Sequence, residues 1–125
     1  VNTLSLDIGL RRTGVAYYSD EVAVPVALDT LKHKSVQSLI EQILPLLKER
    51  NIDRVVCGLP LLLSGEEGAQ CALVRDVTEA LQENGVEIAL LDERYSTPSI
   101  NEIDPDAAAA CQLLLTFIDR EKRIK

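Results

Sequence analysis

At 125 residues and 46% hydrophobic content, the chain is sized for one domain, spanning residues 1–125, with a real core. Only 3% of it is aromatic, so that core must be built from Leu, Val, Ile and Ala. A net charge of −7 argues against a broad nucleic-acid-binding surface, which ordinarily carries a basic footprint.

No apolar run approaches the roughly 20 residues of a membrane span. The opening lacks the basic start and long apolar region of a signal peptide. Cys57, Cys71 and Cys111 are odd in number and have no metal-type spacing, which fits buried reduced thiols. A cytoplasmic protein is the expectation. The chain has no methionine and starts at a valine inside a strand-like run, as a trimmed sequence would.

In chain order, Val1 to Ile8 alternates loosely and suits a central strand. Gly9 to Thr13 supplies a turn and Gly14 to Tyr18 a second strand. Ser19-Asp20-Glu21 turns again into a third strand, Val22 to Leu28, where Pro25 implies a sheet edge. From Ser35 to Arg50 the apolar period becomes helical, through Val36, Leu39, Ile40, Ile43, Leu44 and Leu47. Ser35 is the expected N-cap, and Pro45 should kink or shorten the last turns. His33, isolated among polar neighbours, reads as a surface residue.

Ile52 to Gly58 reads as a buried strand. A helix from about Glu66 to Asn84 follows and is ended by Asn84-Gly85. Val86 to Leu91 is a fifth strand, and a last helix begins near Asp106. The order βββαβαβα predicts an α/β fold: a mixed five-stranded sheet with helices on both faces. Strands one to three form its antiparallel meander; strands one, four and five form its parallel part.

Three acidic positions attract notice in this arrangement. Asp7 lies in the first strand, where a charge is costly unless metal, protons or partners compensate it. Asp92-Glu93 follows the last strand, and Asp106 opens the last helix. Parallel strands put their carboxyl ends on one side, where open α/β sheets carry their sites. Carboxylates gathered there suit Mg²⁺ or Mn²⁺. Each also has a plainer reading: Asp106 as a helix N-cap, Glu93 as a surface partner of Arg94 or Arg11. Asp7 is the hardest to explain away, because Leu6 and Ile8 imply a sheet interior.

Asp7-Ile8-Gly9-Leu10-Arg11-Arg12-Thr13-Gly14-Val15-Ala16 resembles the first motif of the YqgF/RuvX family of RNase H-like, Holliday-junction-resolvase-like proteins. Gly58-Leu59-Pro60-Leu61 with Ser64-Gly65 resembles its second motif, and Asp92-Glu93-Arg94-Tyr95-Ser96-Thr97 its third. Asp106-Ala107-Ala108-Ala109-Ala110, running into Leu113-Leu114, is similar to the acidic start of its last helix.

The resemblance implies an RNase H-like fold and a metal-dependent nuclease for structured nucleic acid, either precursor small-subunit rRNA or branched DNA. It implies Asp7, Glu93 and Asp106 as catalytic metal ligands for Mg²⁺ or Mn²⁺, with Asp104 in reserve for Asp106. Arg11 and Arg94 become phosphate contacts or carboxylate-orienting groups, and Gly58-Leu59-Pro60 the cleft floor. Either a monomer or a homodimer would serve.

Between Thr97 and Asp106 the family carries a longer, often basic segment, where this chain has only Pro98 to Pro105. Either that segment is absent from the protein or part of a mobile loop is missing from the sequence. A non-catalytic nucleic-acid or ribosome-associated binding protein on the same fold is the alternative. A sugar-kinase or actin-like ATPase is disfavoured, because the chain holds one domain and no Gly-x-x-x-x-Gly-Lys-Ser/Thr loop.

Overall fold

The computed structural model of the chain describes residues 1–59, 68–92 and 105–124. Five strands and three helices follow one another as β1 (Asn2–Ile8), β2 (Arg12–Ser19), β3 (Val26–Lys32), α1 (Val36–Glu49), β4 (Arg54–Leu59), α2 (Ala69–Glu83), β5 (Ile88–Asp92) and α3 (Pro105–Ile124). The strands form one sheet in the order β3-β2-β1-β4-β5. β1 pairs antiparallel with β2 and parallel with β4, β2 pairs antiparallel with β3, and β4 pairs parallel with β5. The expected mixed sheet is present, with β1 at its centre.

Alternation along β1 sends its residues to two different surroundings. Leu4, Leu6 and Ile8 are fully buried and join Val15, Val55, Cys57 and Leu59 under α1 and α2. The intervening residues Thr3, Ser5 and Asp7 fall on the opposite face, which α3 covers. There Ala16 and Tyr18 pack with Ala110, Leu114 and Ile118, while Val56 and Leu91 pack with Leu113. One apolar face and one partly polar face thus share a single central strand.

Local chemistry accounts for the helix ends. Ser35 caps α1 by accepting from the Ser38 N–H at 3.1 Å, and Ser38 Oγ accepts in return from the Ser35 N–H. Pro45 is exposed and α1 continues past it to Glu49, so the proline neither ends the helix nor reaches the core. Gly85, at φ +81°, closes α2: its N–H donates to the Gln82 carbonyl, and the Val86 N–H to that of Leu81.

Two sequence expectations need correction. The third strand begins at Val26 rather than Val22, so Pro25 precedes it. After Ser19 the chain keeps turning: the N–H groups of Val22 and Ala23 both donate to the Ser19 carbonyl, and Ala23 takes a φ of 59°. The strand cannot start until that turn is complete. β3 is nonetheless an edge strand, as expected. His33, expected at the surface, is only 6% exposed, and its Nε2 lies 2.8 Å from Thr13 Oγ1.

Cys57 and Cys71 are buried thiols, and Cys111 is partly buried. Burial pushes the Cys57 thiol up to about 12. Among the described residues, no helix is long and apolar enough to cross a membrane.

Candidate active site

Asp7 is the next-to-last residue of β1 and is half-buried. It stands opposite Gly14 on β2. On the other side Leu6 is matched with Cys57, and that parallel register sets Asp7 beside Gly58 of β4. Both flanking positions in the sheet therefore lack side chains. On the α3 face, a carboxylate sits between two bare stretches of backbone. Gly58 is matched in turn with Leu91 of β5, and Leu59 with Asp92. The carboxyl ends of β1, β4 and β5 thus form one rim.

The direction of α3 follows from two contacts. Ser5 Oγ donates to the Ala110 carbonyl at 2.7 Å in a buried bond. The Arg54 guanidinium lies 4.8 Å from the centre of the Phe117 ring, and Arg54 is matched with Thr3. Going from Ala110 to Phe117 along the helix therefore means going from Ser5 back towards Thr3, so α3 runs antiparallel to β1. Residue 106 lies about 6 Å of helix rise before Ala110, and Asp7 lies about 7 Å of strand beyond Ser5. Both steps run the same way, and the first turn of α3 comes over the Asp7 end of the sheet. The order of the β-α elements alone could not establish that convergence.

The turn leaving Asp7 is tightly built. The Gly9 N–H donates to the Arg12 carbonyl at 2.9 Å, and a Cβ on Gly9 would lie 2.6 Å from that same oxygen. Only glycine fits there without moving backbone. Gln70, in the first turn of α2, donates to the Ile8 carbonyl at 3.0 Å and ties that helix to the same rim. Arg11 projects from the turn and is exposed.

Of the expected site residues, the structure brings Asp7 and the opening turn of α3 to one end of the sheet, and Arg11 lies in the turn that follows β1. Glu93, Arg94, Asp104, Pro60, Ser64 and the whole segment between Thr97 and Pro105 lie outside the described residues. Among the described residues, no three His, Cys, Asp or Glu side chains converge as a metal site. What can be tested of the fit to a hard cation is the Asp7 corner. A half-buried carboxylate with glycine at both neighbouring sheet positions offers the oxygen ligation that such an ion takes.

Sequence reading missed the pairing of Asp7 with its two glycines. Gly14 was accessible from hairpin alternation. Gly58 depends on a parallel register between segments fifty residues apart, for which local pattern gives no signal.

This fold is that of the RNase H-like resolvases. The Thermus thermophilus RuvC structure superposes with a TM-score of 0.64 at 14% identity, covering 98% of this chain and 97% of that one. The fowlpox virus resolvase, solved with substrate Holliday junction DNA, superposes with a TM-score of 0.61 at 12% identity over 96% of this chain and 98% of that one.

Sequence narrows the class further. Residues 1–120 match the family described as RuvX, Holliday junction resolvase, and the chain belongs to that family. A "putative pre-16S rRNA nuclease" of Tropheryma whipplei is 32% identical over 97% of this chain and 88% of its own length. One from Fusobacterium nucleatum is 33% identical over 95% and 97%. The Tropheryma alignment runs to 134 positions against a chain of 125, so that relative carries residues this chain lacks.

Proposed function

We propose that the protein is a metal-dependent nuclease that hydrolyses phosphodiester bonds in structured nucleic acid, with a precursor of small-subunit rRNA as its foremost substrate. The observation that carries this reading is Asp7, a carboxylate at the end of the central strand with glycine on both sides, facing the approach of α3. Family membership supports hydrolysis, and the names of the most similar relatives supply the substrate.

In this reading Asp7, Glu93 and Asp106 hold Mg²⁺ or Mn²⁺. When bound, such ions activate a water and stabilise the leaving oxygen of the cleaved phosphodiester. The chain's own residues do the rest. Gly14 and Gly58 let a backbone phosphate come down to the sheet beside Asp7. Arg11, at the tip of the turn, engages phosphate, and Arg94 is its counterpart after β5. Gly58 contributes bare backbone to the floor of the cleft, while Leu59 faces the core on the other side of the sheet. Symmetric resolution of a four-way junction would need two copies of this site, whereas trimming a precursor end needs one.

The test is a cleavage panel of precursor rRNA, single-stranded RNA and four-way junction DNA with Mn²⁺, run with wild type and Asp7→Asn. Wild type should cut at least one substrate, and Asp7→Asn should reduce cutting by about a hundredfold or more, as loss of one transition-state-stabilising group does elsewhere. The variant should keep its thermal melting profile. Robust cleavage by Asp7→Asn would overturn the assignment. Binding that survives EDTA without turnover in any divalent metal would instead favour a binding protein on the same fold.

A further inference from the structure

The chain is acidic overall, yet its basic residues are not evenly spread. An open depression of about 600 Å³ is lined by Leu10, Arg11, Arg12, Lys32, His33 and Lys34. None of these six is acidic, and four are cationic, out of 13 Lys and Arg in a chain of net charge −7. All four are exposed. A concentration of one sign against the trend of the whole molecule is an electrostatic footprint for a polyanion.

Its position gives the patch a purpose. Arg12 and Lys32 are matched across β2 and β3, two residues further along the sheet than the Asp7–Gly14 pair. Strand alternation puts them on the face that Asp7 occupies. With strands about 4.8 Å apart and about 3.3 Å per residue, Arg12 lies roughly 8 Å from Asp7 between Cα atoms, and Lys32 roughly 12 Å. The patch is the outward continuation of the candidate active site towards the β3 edge.

The backbone bearing these charges is also fixed beforehand. The Lys32 carbonyl accepts from Gln42 Nε2 at 2.8 Å. The His33 N–H donates to the Arg11 carbonyl at 2.9 Å, joining the two cationic segments. The Lys34 N–H donates to Ser38 Oγ at 3.1 Å. Beneath them the buried His33 ring meets Thr13 Oγ1 at 2.8 Å. Three consecutive residues, 32 to 34, are each held by a bond from another segment. Little ordering of the main chain remains to be done when a ligand arrives.

We propose that Lys32 and Lys34, with Arg11 and Arg12, form a phosphate-backbone track that seats the nucleic acid on the β3 side of Asp7. The contact is to phosphate and not to bases, so it positions the strand without reading sequence. This deepens the nuclease reading and rests on its nucleic-acid substrate.

The test is salt-dependent binding in EDTA, where cleavage cannot interfere. Fluorescein-labelled single-stranded RNA and a labelled four-way DNA junction are titrated at several NaCl concentrations with wild type, Lys32→Gln/Lys34→Gln and Lys32→Arg/Lys34→Arg. The glutamine double variant should bind more weakly. Its slope of log K against log salt should fall by about 1.4 on the single strand and about 1.8 on the duplex arms, for two lost phosphate contacts. The arginine variant should keep both affinity and slope. A drop on both probes, or on one alone, supports the track and says which nucleic acid it seats.

Unchanged affinity and slope on both probes would overturn it, as would wild-type binding that ignores salt. Cleavage with Mn²⁺ is scored separately. A protein that cuts nothing but shows the slope change loses the nuclease reading and keeps the track; one that cuts with an unchanged slope does the reverse.

Discussion

The two faces of the sheet are built from alternate residues of the same strands, and they do different work. Under α1 and α2, Leu4, Leu6 and Ile8 are at most 1% exposed and meet a continuous aliphatic cluster. Under α3, the same strand presents Thr3, Ser5 and Asp7. Thr3 Oγ1 accepts from Arg54 Nε at 3.0 Å, Ser5 anchors Ala110, and Asp7 stands between glycines. One face supplies stability through apolar area. The other gives up some of that area to hold a helix by specific polar contacts, and it carries the half-buried Asp7 carboxylate. The proposed site draws on both, because a side chain is held only as precisely as the sheet beneath it.

The contrast predicts unequal costs for neighbouring truncations. Leu6→Ala should lower unfolding free energy by about 3 to 5 kcal/mol, since the side chain is fully buried in a close-packed cluster. Ser5→Ala, one residue away on the other face, should cost only about 1 kcal/mol, the net worth of one buried hydrogen bond. Urea denaturation of both variants checks the ranking. Similar losses for the two would mean that the α3 face is as tightly packed as its opposite.

A smaller effect sharpens the comparison at the rim. Burial holds the His33 imidazole below its ordinary value of 6.5. The unfolded chain therefore takes up the proton at a higher pH than the folded one does. The stability linked to His33 is fully present above pH 6.5 and is lost as pH falls from there through the folded-state pKa. His33→Gln lacks a titrating group, so the Tm difference between wild type and variant should shrink on going from pH 7.5 to pH 5. A difference that stays constant would place the imidazole in solvent.

Much of this was legible in the chain. The run Thr3-Leu4-Ser5-Leu6-Asp7-Ile8 writes both faces of β1 as a period of two, and the helical period of α1 with its Ser35 cap is equally plain. The four motifs pointed to the family before any fold was drawn. The misses share one cause: each depends on contacts between residues far apart in sequence. His33 looks solvated among its neighbours and is buried because Thr13 of β2 receives it. β3 looks like Val22 to Leu28 by hydropathy, but a turn that starts at Ser19 and runs to Ala23 delays it to Val26. It then runs through Asp29 and Lys32, which a wet edge strand tolerates. The glycine beside Asp7 on β4 exists only once the parallel register is formed.

The central claim is that the α3 face above Asp7 is where a hard cation and a scissile phosphate meet. Anomalous diffraction from crystals soaked in Mn²⁺ tests it most directly, with wild type and Asp7→Asn compared in one crystal form. The account predicts a peak in contact with the Asp7 carboxylate, on the α3 side of the sheet, that disappears in Asp7→Asn. A peak elsewhere that persists in Asp7→Asn, in a protein that still cleaves nucleic acid, would contradict it.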